Sequence, residues 1–137
     1  MAVSVRRVEY FYAMVRGGPD QAYELLTQLA ARRVNLLALN TVPMGPESTQ
    51  LTLFPDDPMA LQNAARAARF ALDGPHAAVL VQGEDELGAL AMVHTRLHQA
   101  GVQVYASSAV VDGRGYFGYV LYMRPEHVER ALATLRG

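Results

Sequence analysis

The sequence predicts an α+β protein in which one small unit is used twice. Three observations carry that expectation. The first is an internal repeat with a shift of 68 residues: Leu25-Leu26-Thr27-Gln28-Leu29 through Val34-Asn35-Leu36 aligns with Val93-His94-Thr95-Arg96-Leu97 through Val102-Gln103-Val104. In the same register Tyr12 meets Leu80, Gly45 meets Gly113, Leu51 meets Tyr119 and Leu53 meets Leu121, and one residue out of step Pro58 to Leu61 meets Pro125 to Val128. A solenoid repeats at roughly 20–50 residues, so a longer period describes a small folding unit instead. The second observation is the alternation of strand-like and helix-like apolar periods along the chain. The third is punctuation by proline and glycine at matching places in the two halves.

The elements follow in order. Arg7 to Val15 is rich in aromatic and β-branched residues and reads as a strand. Gly17-Gly18-Pro19-Asp20 breaks it, and Ala22, Leu25, Leu26, Leu29 and Ala30 then take the spacing of a helix with one buried face. Val34 to Val42 is a second strand, Pro43-Met44-Gly45-Pro46 a turn, and Ser48 to Phe54 a returning strand. Pro55-Asp56-Asp57-Pro58 opens a second helix, because acidic residues suit the positive end of a helix dipole and proline fits its first position. Its stripe is Leu61, Ala64, Ala65 and Ala68, and Phe70 to Leu72 is expected to form a short closing strand.

The second half repeats this order. His76 to Gln82 is a strand, and Asp85-Glu86-Leu87-Gly88 opens a helix expected to run to about Ala100, with Leu90, Val93 and Leu97 inward and Gly101 capping its end. Val102 to Val111 and Tyr116 to Met123 form a hairpin through Asp112-Gly113-Arg114-Gly115. Pro125 begins a last helix that turns Val128, Ala131, Leu132 and Leu135 inward. Each half is therefore β-α-β-β-α, with a final β visible only in the first, which is the ferredoxin-like βαββαβ plan with antiparallel sheets and helices on one face. The expected division is residues 1–74 and 75–137, the second unit lacking its final strand. The open edge beside His76 to Gln82 then needs cover from the N-terminal segment, the other unit or another chain.

Composition excludes several functions. The chain has 137 residues, half of them hydrophobic, which supports a packed core and argues against disorder. A net charge of −1 offers no general field for nucleic acid, and the basic residues, all arginine, are scattered. Without cysteine there is neither a disulfide nor thiol catalysis. No leader-like or membrane-spanning stretch is seen, so a cytoplasmic location with no membrane partner is the expectation. Ser107 and Ser108 have no His and acid at a recognisable spacing. His94 and His98 stand four apart on a helix, yet no third metal ligand accompanies them, and they read as flanking the buried stripe. Neither a metal nor a cofactor is expected. Tyr105, Tyr116, Phe117, Tyr119 and Tyr122 put large rings on both faces of the second hairpin, and the Tyr10-Phe11-Tyr12 run does the same on the first strand. Apolar surface on both faces suggests a homodimer or another protein partner.

The turn before the second-half helix and the end of that helix carry a resemblance. Asp85-Glu86-Leu87-Gly88-Ala89-Leu90, followed by Gln99-Ala100-Gly101-Val102, resembles the signature of the ACT-domain family, an Asp/Asn-x-Pro-Gly-x-Leu turn and a helix ending in Ala-Gly-hydrophobic. Leu87 stands where proline is usual. In the first half Gly17-Gly18-Pro19-Asp20 occupies the turn without matching it, and Arg32-Arg33-Val34 replaces the Ala-Gly ending. The resemblance runs from about Arg7 to Arg136, and the chain looks like a tandem pair of such units. It implies a non-enzymatic regulatory protein that binds an amino acid, commonly at an interface between units. The implied contacts are Asp85, Glu86, Leu87, Gly88, Ala89 and Leu90, with Gly17, Gly18 and Asp20 as the weaker first-half counterpart. A helix start has free N–H groups for a carboxylate, and a glycine lets the ligand come close. The structural alternative for Asp85 is that it caps the helix. Two other functions stay open, a partner subunit of a metabolic enzyme that holds no ligand, and a small enzyme on the same scaffold.

Overall fold

In the computed structural model, which describes residues 3–137, six strands and four helices follow in the order β1 (Val3–Arg16), α1 (Pro19–Ala31), β2 (Leu36–Pro43), β3 (Ser48–Pro55), α2 (Pro58–Ala68), β4 (Asp73–Glu84), α3 (Ala89–Gln99), β5 (Ala106–Val111), β6 (Tyr116–Tyr122) and α4 (Val128–Arg136), the last preceded by a single 3₁₀ turn. The fold is α+β with the ferredoxin-like element order. The chain divides into two compact units, a contiguous one, Glu9–His76, and a split one in which residues 3–8 join Ala77–Gly137. The boundary between the units lies between His76 and Ala77, and residues 3–8 belong with the second half. β1 and β4 each give one part to either unit.

In the contiguous unit the strand order is β2-β3-β1-β4, the last represented by its first residues. The ladder of β1 on β3 is antiparallel, with Phe11 opposite Leu53 and Ala13 opposite Leu51. Because strand side chains alternate, Phe11, Ala13, Leu51 and Leu53 share one face. There they join Ala22, Leu25 and Leu29 of α1 and Leu61 and Ala64 of α2 in one buried cluster. Both helices therefore cover the same face. The other face carries Tyr10, which packs against Phe54 and His76 at centroid separations of 5.1 and 5.2 Å. The Asp57 carboxylate caps α2 by accepting from the amides of Met59 and Ala60 at 3.1 and 3.4 Å.

Phe70 to Leu72 makes no strand. The chain leaves α2 through Arg69 in the left-handed region (φ 60), and Phe70 and Leu72 pack as side chains against the helix-covered core. The fourth strand starts after them, at Asp73. Gly74, at φ +144, lies against β1 so closely that a Cβ there would stand 2.9 Å from the Tyr10 carbonyl oxygen and 2.9 Å from Phe11 Cδ2.

The split unit has the order β1-β4-β6-β5. Residues 3–8 of β1 are its fourth strand, the one of the three expected covers that the fold uses for the edge of β4. Val5 enters a core with Val79 and Val81 of β4, Phe117, Tyr119 and Leu121 of β6, Val93 and Leu97 of α3, and Val128, Ala131, Leu132 and Leu135 of α4. The Arg136 guanidinium ties the end of α4 to this strand, donating to the Val5 carbonyl from Nε at 3.1 Å and Nη2 at 2.9 Å. β5 is shorter than expected, beginning at Ala106, because Val102 is spent on closing α3, its side chain buried and its amide bonded to the Leu97 carbonyl at 2.9 Å.

The repeat is legible in three dimensions. Leu25 and Val93, Leu29 and Leu97, and Leu61 and Val128 fill the same core positions, and Gly45 and Gly113 take the same left-handed turn position with φ 81 and 76. Where Gly101 (φ 75) ends α3, Arg33 (φ 62) ends α1, with Val34 donating to Leu29 as Val102 does to Leu97. Arginine thus sits in a conformation that suits glycine. Arg33→Gly should stabilise the protein by about 0.5–1 kcal/mol, read as a higher midpoint in urea. A fall in stability would show that the Arg33 side chain makes contacts worth more than the strain.

Candidate functional site

The turn from Asp85 to Gly88 and the first turn of α3 form one side of an open cavity of about 630 Å³. Asp85, Glu86, Leu87, Gly88, Ala89 and Leu90 all line it, together with Ala91, the end of β5 (Ala109, Val110 and Val111) and Phe117 of β6. Hairpin register explains the opposite wall. Val111 pairs with Phe117, and Glu84 at the end of β4 pairs with Tyr116, so the strand end and the turn are carried to the same place by β6. The Asp85 amide donates to the Gly115 carbonyl at 2.8 Å and pins the turn to the hairpin. The hairpin is itself stiffened by Asp112, whose carboxylate accepts from the amides of Arg114 (2.6 Å) and Tyr116 (3.2 Å).

Gly88 is the residue before the helix, in the left-handed region (φ 84), and no side chain caps α3. Asp85 lies three residues ahead of that position, so it is not the cap. Its carboxylate makes no hydrogen bond or ion pair with the described side chains. The Ala89 amide is satisfied by the Glu86 carbonyl (3.0 Å) and the Met92 amide by Gly88 (2.9 Å). The amides of Leu90 and Ala91 find no protein acceptor among the described residues. A helix start with open donors carries partial positive charge and suits an anion. A Cβ on Gly88 would meet nothing within 4 Å, which leaves the approach clear.

α3 begins at Ala89, four residues later than expected, and this changes which side chains face inward. Ala89, Val93 and Leu97 are buried, whereas Leu90, expected in the core, is 39 % exposed and lines the cavity. Leu87 is fully exposed at the cavity rim. The wall from Ala109 to Val111 and Phe117 was not legible as site in the sequence. The signal for it is the strand pairing across Asp112–Gly115, which the turn residues announce.

The first-half turn is built differently. Gly17 (φ 99) donates to the Glu47 carbonyl at 2.6 Å, and the Gln21 side chain lies over it, so that a Cβ there would come within 2.7 Å of Gln21 Cγ. Gly18 precedes the helix in extended conformation, and Asp20 is exposed in its first turn. The Gln21 amide, third in α1, donates to the Gly18 carbonyl at 3.1 Å, whereas its counterpart in α3, that of Ala91, stays open. A second concavity, about 290 Å³, lies elsewhere in this unit, between Tyr12, Met14, Gln50 and the Ala71–Asp73 segment, and none of the three residues lines it.

The two histidines of α3 part company. His94 is half-buried and its Nε2 meets the hydroxyl of Tyr119, which in turn reaches Ser107 Oγ at 3.2 Å. His98 is exposed. The His94–Tyr119–Ser107 chain satisfies a buried phenol and ties α3 to both strands of the hairpin. Of the rings expected on two faces, Phe117 and Tyr119 are buried under the helices, while Tyr105 and Tyr116 are more than half exposed. No helix among the described residues is long and apolar enough to cross a membrane.

No protein-family model and no curated protein matches the sequence. Solved structures do match. Protein BT0572 from Bacteroides thetaiotaomicron is similar over 96 % of this chain and 88 % of its own, with 20 % identity and a TM-score of 0.81. The regulatory subunit of aspartate kinase from Thermus thermophilus, in its ligand-free form, is similar over 98 % of this chain and 94 % of its own, at 15 % identity and a TM-score of 0.62. A C-terminal regulatory domain of aspartate kinase from Porphyromonas gingivalis, itself described as putative, covers the same shares at 18 % identity and a TM-score of 0.56. The chain has the fold of these ACT-type regulatory domains.

Proposed function

We propose that this chain is a non-enzymatic regulatory protein of ACT type that binds an amino acid at the Asp85–Leu90 turn. The observation that carries this reading is that two unpaired amides, of Leu90 and Ala91, and one unpaired carboxylate, of Asp85, border the same cavity. A zwitterion needs that pair of partners, donors for its carboxylate and an acceptor for its ammonium. Resemblance in fold to regulatory parts of aspartate kinases supports it. The Gly17, Gly18 and Asp20 turn is the weaker second site, since Gln21 covers it. In this reading the protein works in the cytoplasm as a homodimer, and ligand acts by favouring one arrangement of the assembly over another, with a metabolic enzyme as the regulated target. The exposed β5, an edge strand with Val110 and Val111 bare and no charged residue, supports association of some kind. It also supports the second reading, a partner subunit that holds no ligand.

A thermal-shift screen of the common amino acids should find at least one that raises the melting temperature. Calorimetry with that ligand should then show Asp85→Ala weakening its binding, by about 1–3 kcal/mol where the bound ligand shelters the charged hydrogen bond from water and by about 1 kcal/mol or less where Asp85 stays as exposed as it is in the free protein. If no amino acid binds at millimolar concentration, the partner-subunit reading replaces this one.

A further inference from the structure

The chemistry of the cavity wall selects among amino acids. Its polar side chains are two, Asp85 and Glu86, adjacent in sequence and both acidic; every other lining residue is glycine, alanine, valine, leucine or phenylalanine. Among the described residues, no arginine, histidine, serine, threonine, asparagine, glutamine or tyrosine lines it. We infer that the ligand is an α-amino acid with an apolar side chain, of branched aliphatic or aromatic size, laid against Leu90, Ala91, Ala109, Val110, Val111 and Phe117. This inference rests on the amino-acid reading above and narrows it.

Each alternative meets a physical objection. A ligand with an acidic side chain would bring a second negative charge beside Asp85 and Glu86, with no cation in the wall to offset it. A hydroxyl or amide side chain would find no partner for its donors and acceptors in alanine, valine and phenylalanine, and so would gain nothing over its hydrogen bonds with water. A basic side chain would compete with the ligand's own ammonium for Asp85. That leaves Glu86, which is exposed, and an ion pair in solvent adds little. An apolar side chain meets none of these costs and removes its own surface and part of Leu90 from water. The volume, about 630 Å³, is in the range of sites that hold small molecules.

The test is calorimetry on the full chain with valine, leucine, isoleucine and phenylalanine set against lysine, threonine and aspartate, repeated on Leu90→Gln. Leu90 is partly exposed and glutamine is a good helix former, so the variant keeps α3 while adding a polar group to the wall. The expected result is that at least one apolar amino acid binds about tenfold or more tightly than any of the other three, and that Leu90→Gln removes most of that preference. Tighter or equal binding of lysine, threonine or aspartate overturns the inference and leaves the amino-acid reading standing. An apolar ligand whose affinity Leu90→Gln does not change also overturns it, because the ligand then lies elsewhere. If none of the seven binds, the amino-acid reading itself has failed and takes this inference with it.

Discussion

Gly74→Ala should lower stability by about 3 kcal/mol or more, the sum of a side chain forced to φ +144 and of overlap with backbone that cannot swing aside. Two of the three atoms nearest the added Cβ, the Tyr10 carbonyl oxygen and Phe11 Cα, belong to the main chain of β1, where Phe11 is almost wholly buried. Relief would require β1 to move away from the start of β4 and to loosen Phe11 from Leu53 on its other side. For a domain of this size the loss corresponds to roughly 10 °C in melting temperature. Gly45→Ala is the control. Gly45 is also left-handed, at φ +81, but a Cβ there meets nothing within 4 Å, so it reports the conformational cost alone, about 1 kcal/mol. Equal losses in the two variants would refute the close approach.

On the proposed reading of the Asp85–Leu90 turn as an amino-acid site, Gly88→Val should abolish ligand binding while costing only about 1–2 kcal/mol of stability, the strain of a β-branched residue at φ +84. The space above Gly88 is empty, so the folded protein tolerates the side chain; a ligand approaching the Leu90 and Ala91 amides does not. Gly113→Val separates the two effects. Gly113 has φ +76 and open space around it, yet it does not line the cavity, so it should lose similar stability and keep the ligand. Wild-type affinity in Gly88→Val, measured by calorimetry, would remove the helix start from the site.

Most elements were legible because each has a clear apolar period and a chemical stop. Pro58 after Asp57 marks α2, and the Asp112–Gly115 run marks the second hairpin. The failures share a cause. An apolar residue can be buried either by a strand ladder or by packing its side chain beneath a helix end, and sequence shows only that it is apolar. Phe70, Leu72 and Val102 looked like strand and are instead side chains closing the ends of α2 and α3. Val3, Val5 and Val8 do not alternate, because Val5 faces the helices of the split unit while Val8 is buried on the opposite side of β1. That broken alternation hid a stretch of β1 that pairs with a strand some seventy residues later. At the site, the turn was readable from its own residues. The wall opposite was not, because Ala109, Val110 and Val111 acquire their place only through register with β6.

The division of β1 has a consequence for the order in which the molecule can be made. On the ribosome, residues 3–8 emerge well before β4, the strand they pair with, and Val5 emerges 131 residues ahead of the Arg136 that holds it. Glu9–His76 contains its own helices and ladder, so it can fold while synthesis continues. The split unit must wait for the release of α4 and must then recover a strand anchored to a unit already folded. That anchor shortens the search, because the free segment to be placed is a few residues long rather than the whole intervening chain. It also means that the two units cannot be separated by a cut between His76 and Ala77. The second fragment would leave without its fourth strand, exposing the edge of β4 and opening one side of the Val79–Val81 core.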